Sequence, residues 1–242
     1  IKKICVEEKL EKIIIDDNNK DYNGFPSFND SEFYNKINNK IEFNTVLTTK
    51  GMTCDSKFKL TPHQIFLKQF LSNQTPYNGL LLFHGTGTGK TCTGISIAEN
   101  FKSRIDDKKI LVLLPSNIKA GWENTILNKN LDSNQCTGNT YLSKLEDKNN
   151  SKEVKKIVAR NYEFSGYLKF ANAINKIMMR KDGKNKIKNI FSNRVIIIDE
   201  VQRIRGDEES KLIIEVLEYI IRYSDNLKLI LLSATPMYNQ SD

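Results

Sequence analysis

A short glycine-rich segment carries the residues of a phosphate-binding loop. After an apolar run at 79–83 the sequence reads His84-Gly85-Thr86-Gly87-Thr88-Gly89-Lys90-Thr91. Glycines at this spacing let backbone N–H groups point at phosphate oxygens with no Cβ in the way. Lys90 would reach the β and γ phosphates of a nucleoside triphosphate, and the Thr91 hydroxyl would hold Mg²⁺. We therefore predict that ATP binds here, on Gly85, Thr86, Gly87, Thr88, Gly89, Lys90 and Thr91.

One position departs from the strict pattern of such a loop. The pattern has a glycine six residues before the lysine, where this chain has His84. The alternative interpretation is a glycine-rich turn without a ligand. An apolar strand before the loop and a helix after it favour the phosphate site, because the positive end of the helix dipole would also face the phosphates.

An acidic pair follows another apolar run, Val195-Ile-Ile-Ile198. The segment reads Asp199-Glu200-Val201-Gln202. Asp199 would hold Mg²⁺ through water, and Glu200 would orient and deprotonate the attacking water. The alternative is that the two carboxylates cap the helix that comes next.

A third polar segment, Ser233-Ala234-Thr235-Pro236, follows the last predicted strand. The hydroxyl groups of Ser233 and Thr235 can bridge the acidic pair and a bound nucleic-acid strand. Serine and threonine commonly end strands, so the segment is weak evidence alone. Its position after a phosphate loop and an acidic pair makes it specific.

The elements that must position these motifs alternate between apolar strands and amphipathic helices. Strands are predicted at 79–84, 110–114, 156–164, 195–198 and 227–232. Helices are predicted at 90–101, 118–127, 167–179 and 211–223. Strands that are apolar throughout and alternate with helices indicate an α/β fold with a parallel sheet covered on both faces. Ligands of such sheets bind at the carboxyl ends of the strands, where all three motifs fall.

Composition divides the chain into an extension and one domain. Residues 1–56 are rich in Asn, Asp and Lys and read as an accessory segment, whereas 57–242 form the α/β domain with a basic insertion at about 128–190. The net charge is +8 over 242 residues. Because 144–194 holds 14 basic and 5 acidic side chains, the excess is concentrated there. Two interpretations explain this concentration of charge equally well. One is a polyanion partner, contacted by Lys184, Lys186 and Lys188, and the other is a solvated lysine-rich insertion.

Several classes of protein are excluded. No apolar run approaches the ~20 residues of a membrane span, and the first residues do not read as a signal peptide. The four cysteines are more than thirty residues apart and none lies near a histidine. We therefore expect neither a zinc site nor a disulfide scaffold. We expect a reducing intracellular compartment, in which Cys92 is a small packed residue. The chain begins with Ile1, which suggests a piece of a longer protein.

The three motifs, in this order, resemble the first RecA-like domain of superfamily 2 helicases and translocases. The resemblance covers roughly 58–239. It implies a RecA-like fold in which Lys90, Glu200 and Gln202 are catalytic, Thr91 and Asp199 bind the metal, and Ser233 and Thr235 couple hydrolysis to nucleic acid. It also implies a second RecA-like domain, missing from this chain, that completes the ATP site, so the chain alone is expected to be weakly active.

Two further segments resemble double-strand translocases of the chromatin-remodelling type. In Leu60-Thr-Pro-His-Gln64 the resemblance implies that Gln64 reads the adenine edge; the alternative is an exposed glutamine at a helix start. The segment from Leu113 to Trp122 resembles the motif that follows the second strand in that group. Trp122 by itself is more often a core aromatic than a nucleic-acid contact.

The phrases around the three motifs look most like DNA-dependent nucleoside triphosphatases and early-transcription-factor helicases of poxviruses and giant viruses. That branch usually has His where Gln202 stands, which puts the coupling in doubt. The resemblance implies ATP-driven movement on nucleic acid, double-stranded DNA favoured, with the viral transcription machinery as partner, in the virion or a cytoplasmic viral factory. The alternatives are a nucleotide-switch or packaging ATPase that does not translocate, and a DNA-binding module without activity.

Overall fold

The computed structural model describes residues 24–41, 43, 60–85, 87–104, 108–128, 130, 135–145, 151–204 and 207–235. The strands within these ranges are β1 (Gly79–Phe83), β2 (Ile110–Leu113), β3 (Tyr162–Ser165), β4 (Val195–Ile198) and β5 (Lys228–Ser233). The α-helices within them are α1 (Phe33–Asn38), α2 (Pro62–Phe70), α3 (Lys90–Glu99), α4 (Lys119–Ile126), α5 (Ser151–Asn161), α6 (Tyr167–Met178), α7 (Gly183–Phe191) and α8 (Glu208–Tyr223).

The five strands form one parallel sheet in the order β1-β5-β4-β2-β3. Leu82 pairs with Leu232 across β1 and β5, and Ile197 pairs with Ile230 across β4 and β5. Strands β2 and β4 are buried along their whole length, as their unbroken apolar runs predict. The predicted α/β fold is confirmed.

Successive residues of each strand point to opposite faces of the sheet and feed two separate cores. In β2, Ile110 and Val112 belong to the first core, whereas Leu111 and Leu113 belong to the second. Helices α2, α3, α4 and α5 cover the first face with Phe70, Ile95, Trp122 and Ile157, among others. Helices α6, α7 and α8 cover the second face with Phe170, Ile187 and Val216.

The strand predicted at 156–164 is wrong over most of its length. Helix α5 runs from Ser151 to Asn161, and β3 takes only Tyr162–Ser165. The apolar residues Val154, Ile157 and Val158 lie on one helical face against the first core, with lysines on the exposed side. A spacing of three and four residues is that of a helix, so the helical period decides this segment.

Much of the predicted basic insertion belongs to the layered fold. Between 151 and 190 the chain contributes β3, which pairs with β2, and α6 and α7, which cover the second face. Near the start of the predicted insertion, Tyr141 is fully buried. The Tyr141 and Tyr162 hydroxyls both donate to the Glu99 carboxylate, so this tract is fastened to α3 and β3.

The expectation of unpaired cysteines is wrong for two of the four. Cys92, in the first turn of α3, and Cys136 form a disulfide, with Cα atoms 5.2 Å apart. The two residues are 44 positions apart in sequence, and only the fold of the intervening chain brings them together. The inference of a reducing compartment from cysteine spacing therefore loses its support. Cys5 and Cys54 lie outside the described residues.

Part of the predicted extension packs against the domain. Phe25, Phe28 and Phe33 surround the ring of Tyr77, whose hydroxyl donates to the carbonyl of Pro26. Phe43 is fully buried in the first core. Within the described residues, no helix is both long and apolar enough to cross a bilayer.

Candidate active site

The phosphate-loop segment connects the end of β1 to the start of α3 at the carboxyl edge of the sheet. Gly87 and Gly89 have φ values of +81° and +84°, which only glycine adopts without strain. Gly89 caps α3, which begins at Lys90. The Thr88 hydroxyl donates to the Gly85 carbonyl at 2.8 Å. The loop thus has the local geometry expected of a phosphate site; Thr86 lies outside the described residues.

Gln64 of α2 supports the phosphate-binding loop through hydrogen bonds. Its side chain is 4 % exposed, and its Nε2 donates to Thr93 Oγ1 at 3.1 Å and to the Gly89 carbonyl at 3.4 Å. Its Oε1 accepts from the Thr61 backbone N–H at 2.9 Å, which closes a capping box on α2. Both ends of the amide are therefore engaged inside the protein, and base recognition by Gln64 stays a prediction.

The two histidines meet where the loop departs from the usual pattern. The ring of His84 lies edge-on to that of His63, with centroids 5.3 Å apart. Burial lowers the pKa of His84, and the neighbouring charges of His63 and Lys90 lower it further. The Nδ1 of His84 is buried and has no hydrogen-bond partner among the described residues.

The acidic pair lies at the end of β4. The Asp199 N–H donates to the Leu113 carbonyl of β2 at 2.9 Å and continues the sheet by one residue. Glu200 then adopts a left-handed conformation, with φ +54°, and its N–H donates to Asp199 Oδ1 at 2.9 Å. Non-glycine residues in this region are strained and occur preferentially at functional sites.

Aromatic side chains from two other elements hold this acidic pair. The Trp122 indole N–H, in α4, donates to Asp199 Oδ2 at 2.8 Å. The Tyr167 hydroxyl, at the start of α6, donates to the Asp199 carbonyl and lies 3.5 Å from that of Glu200. Burial raises the pKa of the Asp199 carboxyl, whereas the bonds from Trp122 and the Glu200 N–H act in the opposite direction.

A chain of side chains links the acidic pair to the end of β5. Gln202 Nε2 donates to the Glu200 carboxylate, and the Ser233 hydroxyl lies 2.8 Å from Gln202 Oε1. The Thr235 hydroxyl is buried and has no partner among the described residues. The structure therefore brings Gln202 and Ser233 to Glu200 and places Thr235 just beyond them.

Loop and acidic pair open onto one cavity of about 250 Å³. Its lining residues are Lys90, Thr91, Ile118, Gly121, Trp122, Thr125, Asp199 and Glu200. Within the described ranges, no group of three or more His, Cys, Asp or Glu side chains is arranged to hold a metal ion. Mg²⁺ needs no such cluster, because it keeps several waters and takes one or two protein oxygens beside substrate phosphates. The Thr91 hydroxyl and the Asp199 carboxylate supply oxygens of that kind.

The basic residues predicted to contact nucleic acid lie at the other edge of the sheet. Helix α7 precedes β4, and its Lys188 pairs at 2.8 Å with Asp225, just before β5. Lys186 pairs with Asp182 at 2.8 Å, and Lys184 lies over the ring of Tyr223. Phosphate contact by these lysines stays a prediction, with two of the three ammonium groups already paired.

Sequence reasoning missed three contributors to the site. Tyr167 carries no local signal, since its hydroxyl donates to the Asp199 carbonyl 32 positions away, and the contact of Thr93 with Gln64 spans 29 positions. Trp122 was noted, but as a core or nucleic-acid residue rather than as a donor to Asp199. The signal available was its rarity, as it is the sole tryptophan of 242 residues.

The sequence of the chain is similar to one protein family and to several viral proteins. The family described as "Type III restriction enzyme, res subunit" matches residues 57–238. A protein of Acanthamoeba polyphaga mimivirus, named for an inferred ATP-dependent RNA helicase activity, is 35% identical over 78% of this chain and 19% of its own length. A second protein of that virus with a similar name is 29% identical over 89% of this chain and 37% of its own.

A poxvirus relative is also found. Nucleoside triphosphatase I of Choristoneura biennis entomopoxvirus is 27% identical over 85% of this chain and 27% of its own length. The chain thus spans about one fifth to two fifths of the length of these curated relatives. The resemblance drawn from the sequence motifs, to viral helicases and nucleoside triphosphatases, is confirmed.

Proposed function

The chain belongs to the family described as the res subunit of type III restriction enzymes, and we propose that it is the first, ATP-binding RecA-like lobe of a viral motor that moves on nucleic acid. The single observation that carries the proposal is the shared cavity. It brings Lys90 and Thr91 of the loop together with Asp199 and Glu200 of the acidic pair.

The residues divide the reaction among them. Lys90 and the loop amides bind the β and γ phosphates, and Thr91 and Asp199 hold Mg²⁺, which supplies positive charge to the phosphates when bound. Glu200 orients the attacking water and takes its proton. Gln202 holds the Glu200 carboxylate in place. Gln64 supports the loop and, in our proposal, faces the adenine once nucleotide enters.

Ser233 supports coupling between hydrolysis and movement. It lies 2.8 Å from Gln202 Oε1, so a shift of the strand end at β5 reaches Glu200 through one intervening side chain. Thr235, with its buried hydroxyl lacking a described partner, is the residue we expect to respond next.

The proposal extends to partners outside the chain. A second RecA-like lobe completes the ATP site, which fits a chain that spans only part of its relatives. Double-stranded DNA is the proposed track and the viral transcription machinery the proposed setting, because the sequence motifs resemble those of DNA-dependent nucleoside triphosphatases. The place of action would be the virion or a viral factory in the host cytoplasm, since the relatives named above are viral.

ATP hydrolysis by the full-length protein tests the proposal. The rate is measured without nucleic acid and with duplex DNA, single-stranded DNA or RNA. We expect stimulation mainly by duplex DNA, and only slow turnover from the 242-residue chain alone. Lys90→Ala should abolish hydrolysis, and Lys211→Ala, on the exposed face of α8 and outside the basic 144–194 segment, is the matched control.

Other outcomes would change the assignment. Stimulation by single strands or RNA would indicate a strand-separating helicase, in line with the names of the mimivirus relatives. A fast rate that no nucleic acid alters would replace the motor by the nucleotide-switch or packaging ATPase. Nucleotide binding unaffected by Lys90→Ala would refute the site itself.

A further inference from the structure

Trp122 makes a contact that a packing role does not require. Its side chain is 2 % exposed in the first core, where a hydrocarbon ring of the same size would fill the space. Its indole N–H is nevertheless directed at Asp199 Oδ2, 2.8 Å away and 77 residues distant in sequence. A buried N–H needs a partner, and here the partner is the carboxylate assigned to the metal.

The ring is fixed by its surroundings. A Cβ at Gly94 in α3 would lie 3.8 Å from the outer edge of the indole, and 3.3 Å from Leu232 of β5. Helix α3 therefore packs against the ring at ordinary van der Waals distance, and an added methyl group at residue 94 would press on Leu232 rather than on the indole. Since the phosphate-binding loop ends in the first turn of α3, at Lys90, one helix supports both the loop and the indole.

The carboxylate of Asp199 is thereby held at both oxygens. Oδ2 accepts from Trp122, and Oδ1 accepts from the Glu200 N–H at 2.9 Å. Each carboxylate oxygen has about two acceptor sites, so each keeps one for a metal-bound water. Two fixed donors leave the remaining acceptor sites in one orientation, toward the cavity shared with Lys90 and Thr91.

We propose that Trp122 is a positioning residue, which orients the Asp199 carboxylate for Mg²⁺ through its indole N–H. This inference rests on the proposed function, since it assumes that the cavity binds a magnesium nucleotide. Donors in the outer shell of a metal site typically change metal affinity or activity by about 10–100-fold when they are removed. Trp122 is expected to act at the lower end of that range, because the Glu200 N–H remains.

The test removes the N–H and keeps the ring. Because the 242-residue chain holds one tryptophan, biosynthetic replacement by benzothienylalanine exchanges N–H for sulfur at position 122 alone. Trp122→Phe is the genetic counterpart. Calorimetry measures the affinity for ATPγS without metal and then its dependence on Mg²⁺. In the analogue, we expect the increase in ATPγS affinity caused by Mg²⁺ to be about 10-fold smaller than in wild type. The affinity without metal should be unchanged, and the melting temperature of the isosteric analogue should stay close to wild type.

A double-mutant cycle with Asp199→Asn tests whether Trp122 acts on the metal through the Asp199 carboxylate. If Trp122 acts through the carboxylate, its replacement adds little to the Mg²⁺ defect of Asp199→Asn. A wild-type Mg²⁺ response in the analogue overturns the positioning role, and so does a full additive loss in the cycle. Lys90→Ala separates the two claims: if that variant also binds ATPγS normally, the proposed function fails and the positioning role fails with it.

Discussion

The phosphate-binding loop and the acidic pair face the same cavity but are held in different ways. The loop depends on backbone conformation, with left-handed glycines at 87 and 89, and on the start of its own helix. The acidic pair depends on side-chain donors: Trp122 of α4 and Tyr167 of α6 come from distant elements, and Gln202 comes from the turn that follows Glu200. The loop is thus shaped mainly by its own backbone, with Gln64 of α2 as an added support, whereas Asp199 is held mainly by the tertiary fold.

This difference determines what a substitution does. In the loop, a change of residue type alters the backbone that presents the amides, so we expect losses in nucleotide affinity. Around the acidic pair, most changes leave the backbone in place and release a carboxylate, so we expect losses in hydrolysis or metal response.

Glu200→Gln and Lys90→Ala should differ most in their effects on hydrolysis and on nucleotide affinity. Removing the base should lower the hydrolysis rate of the full-length protein by about 10²–10⁴-fold, because an amide accepts no proton from water. Nucleotide affinity should remain, whereas Lys90→Ala should lose it. Single-turnover hydrolysis and equilibrium binding are measured on both variants, with Glu215→Gln on the exposed side of α8 as control. Loss of nucleotide binding in Glu200→Gln would contradict the distinction between a loop that sets affinity and an acidic pair that sets hydrolysis.

The disulfide gives the loop a second support. Cys92 follows Thr91 directly, so its bond to Cys136 ties the start of α3 to the 135–145 segment. Closing a loop of 44 residues stabilises a fold by roughly 4 kcal/mol on the chain-entropy account. Cys136→Ser should lower the free energy of unfolding by about that amount, measured by urea denaturation.

A dithiol reductant provides the control for this prediction. It exchanges with the bond and leaves two protein thiols and an oxidised reductant. Wild type in reductant should match Cys136→Ser without it, and the variant should not respond further. Equal midpoints for oxidised and reduced wild type would remove the disulfide from the supports of the loop.

Gly89→Ala should weaken nucleotide binding by straining the backbone of the loop and displacing Gln64. The φ of +84° costs an alanine about 1–2 kcal/mol, and its Cβ would lie 2.9 Å from Gln64 Nε2. We expect the affinity for nucleotide to fall by roughly 5–30-fold. Gly85→Ala is the matched control in the same loop, because its Cβ would meet nothing within 4 Å. Equal effects of the two would contradict the conformational explanation.

The same division explains how far the sequence predicted the site. Glycine spacing and the buried strand before it located the loop, and the apolar run at 195–198 located Asp199 and Glu200, because these signals are local. The donors Trp122 and Tyr167 reach the acidic pair across 77 and 32 residues, a pairing that no window along the chain reveals.

The errors in the predicted fold have a related cause. In α5, the pattern at 154–158 fits a helix once its three- and four-residue spacing is counted, but the short apolar stretch also resembled a strand. The bond between Cys92 and Cys136 was missed because spacing along the chain says nothing about distance in the fold. Parallel sheets depend on long-range pairing, so such contacts appear only when the topology is known.

Tyr167→Phe should have the smallest effect on kcat of these substitutions. It tests whether support around the acidic pair acts on hydrolysis rather than on nucleotide binding. Its hydroxyl donates to the Asp199 carbonyl beside the left-handed Glu200, so it stabilises a strained backbone rather than a carboxylate. Loss of one such bond is worth about 0.5–1.5 kcal/mol, which predicts a two- to ten-fold lower kcat at unchanged KM. Tyr219→Phe, in α8 against the ring of Tyr223, is the control. If KM rises while kcat stays, the hydroxyl supports nucleotide binding instead, and backbone support is not confined to the loop.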